Sequence, residues 1–282
     1  MFPSGPLVSA DWLAEHRDEV VVVDLRWSMD GGPRRAEYLD GHLPGAVFAD
    51  LDADLSDPPG ERGRHPLPSA EHFAQARSKL GLGTKPVVVY DDQSGAQAAR
   101  LWWMLDAIGH PVAVLDGGMQ AWSGELEQGD VLEKQSAGGE QADEVAPVPW
   151  PEDRFVDVSE VLSAIADGAV LVDARSAERF AGQANPIDSR PGHIPGSVSR
   201  PWTDNVGPDG RLLPAEQLQQ ELGALGVVAG AAVVASCGSG VTGCHDLLAA
   251  RVAGVEGGRL YTGSWSEWSL DPDRPVDQSL SD

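Results

Sequence analysis

The chain has 282 residues, enough for one large domain or two of ordinary size, and its 41% hydrophobic content is typical of a globular protein. A formal net charge of −24 argues against nucleic acid and anionic membrane surfaces as partners, because positive protein fields attract both. No stretch approaches the ~18 consecutive apolar residues that a membrane span needs. The N-terminus lacks the pattern of a secretory signal. Only Cys237 and Cys244 are cysteines, so we expect no disulfide framework and a cytoplasmic location.

The two halves of the chain present the same elements in the same order. In the first half, a short helical pattern after Ser9 is followed by a strand-like run at 20–24 and by GHLPGA at 41–46. The second half repeats them, with a helical pattern after Ser159, a strand-like run at 169–173 and GHIPGS at 192–197. An arginine lies two residues beyond the aspartate that ends each run. This recurrence indicates an internal duplication.

Later in each half the two repeats lie at a constant spacing of 146 residues. The matched pairs are Pro68 with Pro214, Val88 with Val234, Gly117 with Gly263, and Trp122 with Trp268. Chance could give one such pair but not an ungapped series. Because β-branched runs alternate with helical segments, each half is predicted to be an α/β domain in which helices cover a parallel sheet.

The duplication predicts the domain organisation. We expect a first domain at 1–126, a linker at 127–153 that is rich in Gly, Glu, Gln and Pro, and a second domain at 154–282. The same spacing sets Asp91 opposite Cys237, since 237 − 91 = 146. If Cys237 is a nucleophile, the first half cannot perform the same chemistry, and we interpret it as a structural and substrate-framing partner.

Cys237 lies in a sequence context that favours an activated thiol. The run 233–236 is predicted to be a buried strand, CGSGVT at 237–242 a tight loop, and 243–250 a helix. Backbone N–H groups converge in a loop of this kind at the start of a helix. Such nests bind anions and lower the pKa of a thiol, which makes the thiolate available near neutral pH.

Three other roles for this loop compete with that of an activated thiol. Cys237 could be a small buried residue, the usual fate of a free cysteine. A Walker-type phosphate loop would need Gly-Lys-Ser/Thr at its end, where this loop has Val241-Thr242. A Cys-x5-Arg phosphatase would need arginine at the position of Gly243. Cys244 has neither metal-ligand spacing nor an evident base, so we expect it to pack within the helix.

The histidines of the two GH[LI]PG motifs, His42 and His193, occur in both halves although only one half has the cysteine. This symmetry predicts a role in the fold, namely a hydrogen bond that fixes the turn.

These motifs resemble the rhodanese superfamily, specifically its tandem-domain 3-mercaptopyruvate and thiosulfate sulfurtransferases. The resemblance covers nearly the whole chain and depends on the Asp-x-Arg motifs, the GH[LI]PG repeats, the CGSGVT loop and the terminal Gly-x-x-x-x-Trp segments. It implies two tandem rhodanese-like domains. It also implies that Cys237 takes sulfur from 3-mercaptopyruvate as a persulfide, releases pyruvate, and passes the sulfur to a small thiol, thioredoxin or cyanide.

The resemblance also assigns site residues. Gly238, Gly240, Val241 and Thr242 belong to the loop that binds the substrate, and Arg179 matches the arginine that binds its carboxylate. A second such arginine is assigned to Arg190 in the shorter segment NPIDSRPGHIPG. A relay that handles the substrate's thiol proton would consist of Ser239, His65 and Asp52. Two of these residues have alternative interpretations: Arg179 could form a surface salt bridge, and His65 could be a solvated loop histidine.

Three functions remain to be compared. A sulfurtransferase is favoured, with 3-mercaptopyruvate preferred over thiosulfate because Gly238 and Ser239 replace the two cations usual in thiosulfate-preferring members. A cysteine-based phosphatase or arsenate reductase is disfavoured by the missing loop arginine. A persulfide relay module is disfavoured by Arg179, since a relay would not need a carboxylate clamp. The prediction includes a small-molecule sulfur donor, no organic cofactor and no metal.

Overall fold

The computed structural model describes residues 2–3, 5–137, 144–185 and 187–278. These residues divide into two compact units. The first contains Met1–Asp57, Pro68–Trp150 and Pro208–Arg211, and the second contains Pro58–Leu67, Pro151–Gly207 and Leu212–Asp282. No helix among the described residues is long and apolar enough to span a bilayer.

The first unit is a five-stranded sheet with helices and a small hairpin. Its strands are β1 (Leu7–Val8), β2 (Val21–Asp24), β3 (Trp27–Ser28), β4 (Gly32–Pro33), β5 (Val47–Phe48), β6 (Val87–Tyr90) and β7 (Val112–Leu115). Its helices are α1 (Ala10–His16), α2 (Arg35–Asp40), α3 (Leu51–Asp54), α4 (Ala70–Lys79), α5 (Ala98–Ala107) and α6 (Val131–Ala137). Two 3₁₀ turns lie at Arg17–Glu19 and Gly118–Ala121.

The second unit repeats this arrangement without the hairpin. Its strands are β8 (Phe155–Val156), β9 (Val170–Asp173), β10 (Ser197–Ser199), β11 (Val233–Ser236) and β12 (Arg259–Tyr261). Its helices are α7 (Val161–Ala166), α8 (Ala177–Phe180), α9 (Ala215–Ala224), α10 (Gly243–Val252) and α11 (Ser264–Trp268). Two 3₁₀ turns lie at Glu152–Arg154 and Trp202–Asn205.

The two sheets have equivalent strand orders, β1-β7-β6-β2-β5 and β8-β12-β11-β9-β10, and every pairing in both is parallel. The predicted duplication and the α/β class are therefore confirmed. In register, Asp24 lies beside Tyr90 in the first sheet, and Asp173 lies beside Ser236 in the second. The residues after β6 and β11 consequently emerge at the carboxyl edge of a central strand, where parallel sheets carry their functional loops.

Burial explains why these short segments form regular structure. Strand β11, whose sequence is VVAS, is buried at all four positions, as parallel strands covered on both faces should be. Each α-helix in the described part of the chain has ten residues or fewer and would be marginally stable alone, so packing stabilises it. Trp265 and Trp268 of α11 are fully buried and join a core with Val156, Val234 and Tyr261.

The Asp-x-Arg motifs fix the turn after the first long strand of each repeat. Arg175 donates to both oxygens of Asp173 at 2.7–3.1 Å and to the carbonyl of Gly192 at 2.9 Å. Arg26 makes the same bonds in the first unit. His42 and His193 lie within hydrogen-bond distance, through Nδ1, of the carbonyls of Tyr38 and Phe180 and stack on the same rings. The predicted fold role of both histidines is confirmed.

Two short segments belong to the unit of the other repeat, which the sequence boundaries did not anticipate. We call residues 58–67 the first arm and residues 208–211 the second arm. In the first arm, Gly63 has a φ of 96°, and a Cβ there would lie 2.6 Å from the hydroxyl of Ser266. The Arg64 N–H donates to that hydroxyl at 3.1 Å. Glycine is therefore required for this close approach, which incorporates the arm into the second unit.

The expected linker is more structured than its composition suggests. Residues 127–137 and 144–150 belong to the first unit and include α6. Val131 of this helix is buried, and its backbone N–H donates to the Tyr38 hydroxyl. Trp150 donates through its indole to the carbonyl of Pro68 and stacks on Phe73. These apolar anchors explain the difference, whereas residues 138–143 of the expected linker lie outside the described residues.

Candidate active site

Cys237 follows β11 directly and is 2% exposed. The loop turns immediately after it and reaches α10 at Gly243. Gly240 has a φ of 78°, in the left-handed region that glycine adopts without strain. A Cβ at Gly243 would lie 3.2 Å from the backbone of Ser236, so a small residue is needed where α10 begins. The glycines therefore let the chain reverse tightly around the thiol.

The loop surrounds the sulfur with hydrogen-bond donors. The N–H groups of Ser239 and Gly240 point at Sγ, at 3.4 Å and 3.1 Å. Burial by itself raises the pKa of the Cys237 thiol, but the Thr242 hydroxyl and the N–H groups of Ser239 and Gly243 lower it, and the net result is a pKa below the ordinary value. These donors stabilise a thiolate inside a water-poor site.

The start of α11 fixes the backbone of this loop. The Ser264 hydroxyl accepts from the Cys237 N–H at 3.0 Å and donates to the Tyr261 carbonyl at 2.8 Å. The N–H groups of Trp265 and Ser266 donate to the carbonyls of Cys237 and Gly238 at 3.0 Å and 2.8 Å. Ser264 adopts a φ of 50°, which is costly for a residue with a Cβ. This strain is retained beside the nucleophile.

Two members of the predicted relay lie together. Nδ1 of His65, in the first arm, is 2.8 Å from Oγ of Ser239. Asp52 belongs to the first unit, where its carboxylate accepts from the indole N–H of Trp27 at 3.2 Å and 3.3 Å. The Ser239–His65 pair is thus part of the second unit, and the participation of Asp52 stays a prediction.

Arg179 lies beside the nucleophile loop together with an arginine that we did not predict. A buried carboxylate, Asp188, bridges the two, with Oδ2 2.6 Å from Nη2 of Arg179 and Oδ1 2.5 Å from Nη1 of Arg64. Arg64 Nη2 also donates to the Gly238 carbonyl at 3.1 Å. A Cβ on Gly238 would lie 3.0 Å from Arg64 and 3.1 Å from Arg179. The space beside Gly238 is therefore filled by guanidinium groups rather than by a loop side chain.

The Cys237 loop therefore has two neighbouring cations, of which only Arg179 was predicted. Arg64 and Arg179 both lie at the peptide that follows Cys237, although the loop itself has no charged residue. Arg179 belongs to the short helix α8, and the side chain of Ser176 caps the N-terminus of this helix. The alternative of a surface ion pair does not describe Arg179, because its side chain is only 14% exposed.

Arg190 has a different position from the one expected. Its Nε donates to the carbonyl of Ser269, Nη1 to those of Pro272 and Arg274, and Nη2 to those of Trp268 and Asp271. These bonds employ every N–H of the guanidinium group. Arg190 therefore caps the chain after α11, and Arg64 is the arginine that accompanies Arg179. In the segment NPIDSRPGHIPG, the charged side chain that contacts Arg179 is that of Asp188.

The remaining loop residues have supporting contacts. Val241 is buried, and its carbonyl accepts from the N–H of Cys244 at 3.1 Å. The Thr242 carbonyl accepts from the His245 N–H at 3.0 Å. Cys244 is fully buried in α10, and its thiol donates to the Gly240 carbonyl at 3.5 Å. Over the described ranges, no cluster of three or more His, Cys, Asp or Glu side chains could hold a metal ion.

With this geometry established, comparison with known proteins is informative. The sequence-family model described as the rhodanese-like domain matches this chain twice, at residues 9–125 and at residues 157–271. The chain belongs to the rhodanese family. It is 42% identical to a Pseudomonas aeruginosa protein named as a probable 3-mercaptopyruvate sulfurtransferase, covering 97% of this chain and 98% of the relative. A Mycobacterium tuberculosis relative, provisionally named thiosulfate sulfurtransferase, is 40% identical and covers 92% and 91%.

A solved structure gives the same relationship. The crystal structure of the Escherichia coli 3-mercaptopyruvate sulfurtransferase is 36% identical, with a TM-score of 0.77, and the match covers 94% of this chain and all of that one. The present chain is therefore a two-domain sulfurtransferase enzyme.

Sequence reasoning missed Arg64, Asp188 and Ser264. A partial signal for Arg64 was available, because Gly63-Arg64 precedes Pro68 much as Gly210-Arg211 precedes Pro214. The two dipeptides are offset by one residue from the common spacing of 146. That pairing marks the two arms. No comparable signal identified Asp188, because its role depends on joining Arg179 to Arg64, which lies 124 residues away from it in sequence.

Proposed function

We propose that the protein transfers sulfur from 3-mercaptopyruvate to a thiol through a persulfide on Cys237. The observation that carries the proposal is the thiol itself, buried within a ring of N–H donors directly beside two guanidinium groups. This arrangement favours a nucleophilic sulfur anion and an adjacent site for a small carboxylate.

In the first half-reaction, the Cys237 thiolate attacks the donor's sulfur. The carbon–sulfur bond breaks, and its electron pair moves to the carbon, which the neighbouring ketone stabilises as an enolate. The proton that began on the donor's sulfur ends on this carbon and gives pyruvate, while Cys237 retains the outer sulfur as a persulfide anion. The loop N–H groups stabilise the charge on sulfur, as donors do in an oxyanion hole.

The Ser239–His65 pair is suited to the proton transfer. The Ser239 hydroxyl both donates and accepts, and its 2.8 Å contact with Nδ1 of His65 provides a path for a proton. We assign Asp52 to the same relay as the group that would orient His65. Arg179 and Arg64 bind the donor's carboxylate, because a planar guanidinium group matches a carboxylate in shape and charge.

In the second half-reaction, a thiol attacks the outer sulfur, receives it as a new persulfide and restores the Cys237 thiolate. A small thiol, reduced thioredoxin and cyanide are the acceptors proposed. Residues 154–282, with the first arm, supply the nucleophile, whereas residues 1–126 lack one and frame the substrate. Neither Cys237 nor Cys244 forms a disulfide within the part of the chain that the structure describes, which supports a cytoplasmic location.

The test is pyruvate release combined with mass spectrometry of the protein after exposure to 3-mercaptopyruvate. We expect one additional sulfur atom on Cys237. Cys237→Ser should abolish both signals, because a serine hydroxyl cannot carry sulfane sulfur. Cys244→Ser is the matched control and should retain most activity. Extra sulfur on Cys244, or pyruvate release by Cys237→Ser, would contradict the proposal.

Thiosulfate is the second candidate donor. It is a dianion, and the two guanidinium groups at Gly238 supply positive charge that the loop sequence alone lacks. Kinetic comparison of the two donors with one acceptor separates the candidates. We expect kcat/KM to be higher for 3-mercaptopyruvate, and equal or better use of thiosulfate would reverse the order of the two.

A further inference from the structure

The carboxylate of Asp188 is the least exposed charge in the arginine cluster. Its side chain is 1% exposed, whereas those of Arg64 and Arg179 are 29% and 14% exposed. Each carboxylate oxygen contacts a different guanidinium group. The Asn185 side chain closes a turn onto Asp188 by donating to its carbonyl at 2.9 Å and accepting from its N–H at 3.3 Å. Asp188 is therefore a buried and hydrogen-bonded member of the arginine cluster rather than a solvent-exposed ion-pair partner.

The arginines retain donors that Asp188 does not occupy. Nε of Arg179 is buried and has no hydrogen-bond partner among the described residues. Nη1 of Arg179 would lie 3.4 Å from a Cβ on Gly238, so it faces the peptide that follows the nucleophile. An unpaired guanidinium N–H in a buried position is costly, and an incoming anion would satisfy it.

The charges of this cluster can be counted directly. Two guanidinium groups contribute +2 and Asp188 contributes −1, which leaves +1 beside the thiol. The carboxylate of 3-mercaptopyruvate has one negative charge and neutralises that remainder. Thiosulfate has two and would leave an excess negative charge next to a thiolate, where the low local dielectric makes repulsion strong.

We propose that Asp188 is a specificity-determining residue, which acts through Arg64 and Arg179 to match the site's charge to a monoanionic sulfur donor. This proposal extends the proposed function by naming the residue that selects the class of donor. It predicts that neutralising Asp188 changes the use of the two donors in opposite directions. A purely structural role would instead reduce the use of both.

The experiment measures kcat/KM for 3-mercaptopyruvate and for thiosulfate in the full-length protein and in Asp188→Asn. We expect the thiosulfate to 3-mercaptopyruvate ratio to rise at least about tenfold, equivalent to about 1.4 kcal/mol, with thiosulfate use increasing in absolute terms. Asp188→Glu retains the charge and should retain the wild-type ratio. Glu178→Gln removes one charge from an exposed neighbour of Arg179 and should also leave the ratio unchanged.

A second measurement does not depend on turnover. Pyruvate and sulfate, as inert monoanion and dianion probes, should slow alkylation of Cys237 by neutral iodoacetamide when they bind. In Asp188→Asn, we expect protection by sulfate to strengthen about tenfold relative to protection by pyruvate. An unchanged preference in both measurements, or a parallel fall for both donors, would overturn the proposal. If the wild-type protein transfers sulfur from neither donor, the proposed function fails, while the probe measurement still decides the role of Asp188.

Discussion

The loops after β6 and β11 are equivalent in sequence and in fold, but they hold different groups. Asp91 stands where Cys237 stands in the other repeat, and its carboxylate accepts four backbone N–H groups, each at 2.8 Å. The donors are Gln93, Gly95, Gln97 and Ala98. In the second loop, Sγ of Cys237 occupies the equivalent nest and receives N–H groups of its own loop. Both repeats therefore build a site for an anion at the same edge of the sheet.

This difference separates the fold's contribution from that of individual residues. The nest arises from the strand, the tight loop and the helix that follows, because both repeats have it. Asp91 fills the first nest with its own charge; its burial raises the pKa of the carboxyl, and the four N–H groups oppose that rise. The second nest holds the thiol of Cys237 instead. The loop supplies stabilisation of negative charge, and Cys237 is the residue that we propose as the nucleophile.

Two further positions differ between the loops in a way that matters for Cys237. Ser264 aligns with Gly118, where a Cβ would lie 2.5 Å from the Asp91 carbonyl. Thr242 aligns with Ala96, so the hydroxyl that lowers the pKa of Cys237 has no counterpart at the equivalent position of the first loop. The arms differ as well, since Arg64 reaches Gly238 and Asp188, whereas Arg211 pairs weakly with its neighbour Asp209 at 4.0 Å.

Among these differences between the two repeats, that between the arms predicts the largest effect of a substitution on sulfur transfer. Arg64→Ala removes a charged hydrogen-bonding group from the proposed binding site of 3-mercaptopyruvate. It should raise KM for this substrate about tenfold to a hundredfold, because a hydrogen bond to a charged group contributes about 1.5–3 kcal/mol. Steady-state kinetics checks this. Arg211→Ala is the matched control from the second arm and should change KM little. Equal effects of the two substitutions would show that the arms act only as supports.

The sequence predicted the duplication and the parallel sheets because both depend on patterns that can be followed along the chain, and the tight loop at Cys237 was predicted in the same way. The periodic strands, the glycines around Cys237 and the constant spacing are all legible along the chain. The exchange of the two arms between the units could not be predicted in this way. The Arg64–Ser266 contact joins residues 202 positions apart, and it depends on the absence of a Cβ at Gly63. Arg190 was assigned to the substrate carboxylate because it lies close to GHIPG, whereas its guanidinium group donates to five carbonyls between Trp268 and Arg274.

Conversion of Thr242 to the residue of the first loop tests the origin of the thiol's acidity. Thr242→Ala removes a hydroxyl that stabilises the thiolate, so the pKa of Cys237 should rise. The thiolate fraction at any pH below that pKa then falls, and the profile of iodoacetamide reactivity against pH moves to higher pH. At neutral pH we expect roughly a fivefold loss, for a hydrogen bond of about 1 kcal/mol. Thr242→Ser should retain the wild-type profile, and an unmoved profile in Thr242→Ala would exclude the hydroxyl as a cause.

Substitution of Ser264 should have the smallest effect on turnover and is best measured as the free energy of unfolding. Ser264→Ala leaves the buried N–H of Cys237 without its acceptor, at a cost of about 1–3 kcal/mol, and keeps a Cβ at a φ of 50°. Ser264→Gly loses the same acceptor but adopts the first loop's residue, which relieves strain of about 1 kcal/mol.

The two Ser264 variants therefore have a predicted order of stability, with the wild type above Ser264→Gly and Ser264→Ala lowest. Urea denaturation of each protein gives the three free energies. If Ser264→Gly were the least stable, the backbone at this position would not be strained. If neither variant were destabilised, the hydroxyl would not be holding the Cys237 peptide. The predicted order means that the backbone strain at Ser264, which glycine avoids at the equivalent Gly118, is tolerated because the serine hydroxyl binds the backbone N–H of Cys237.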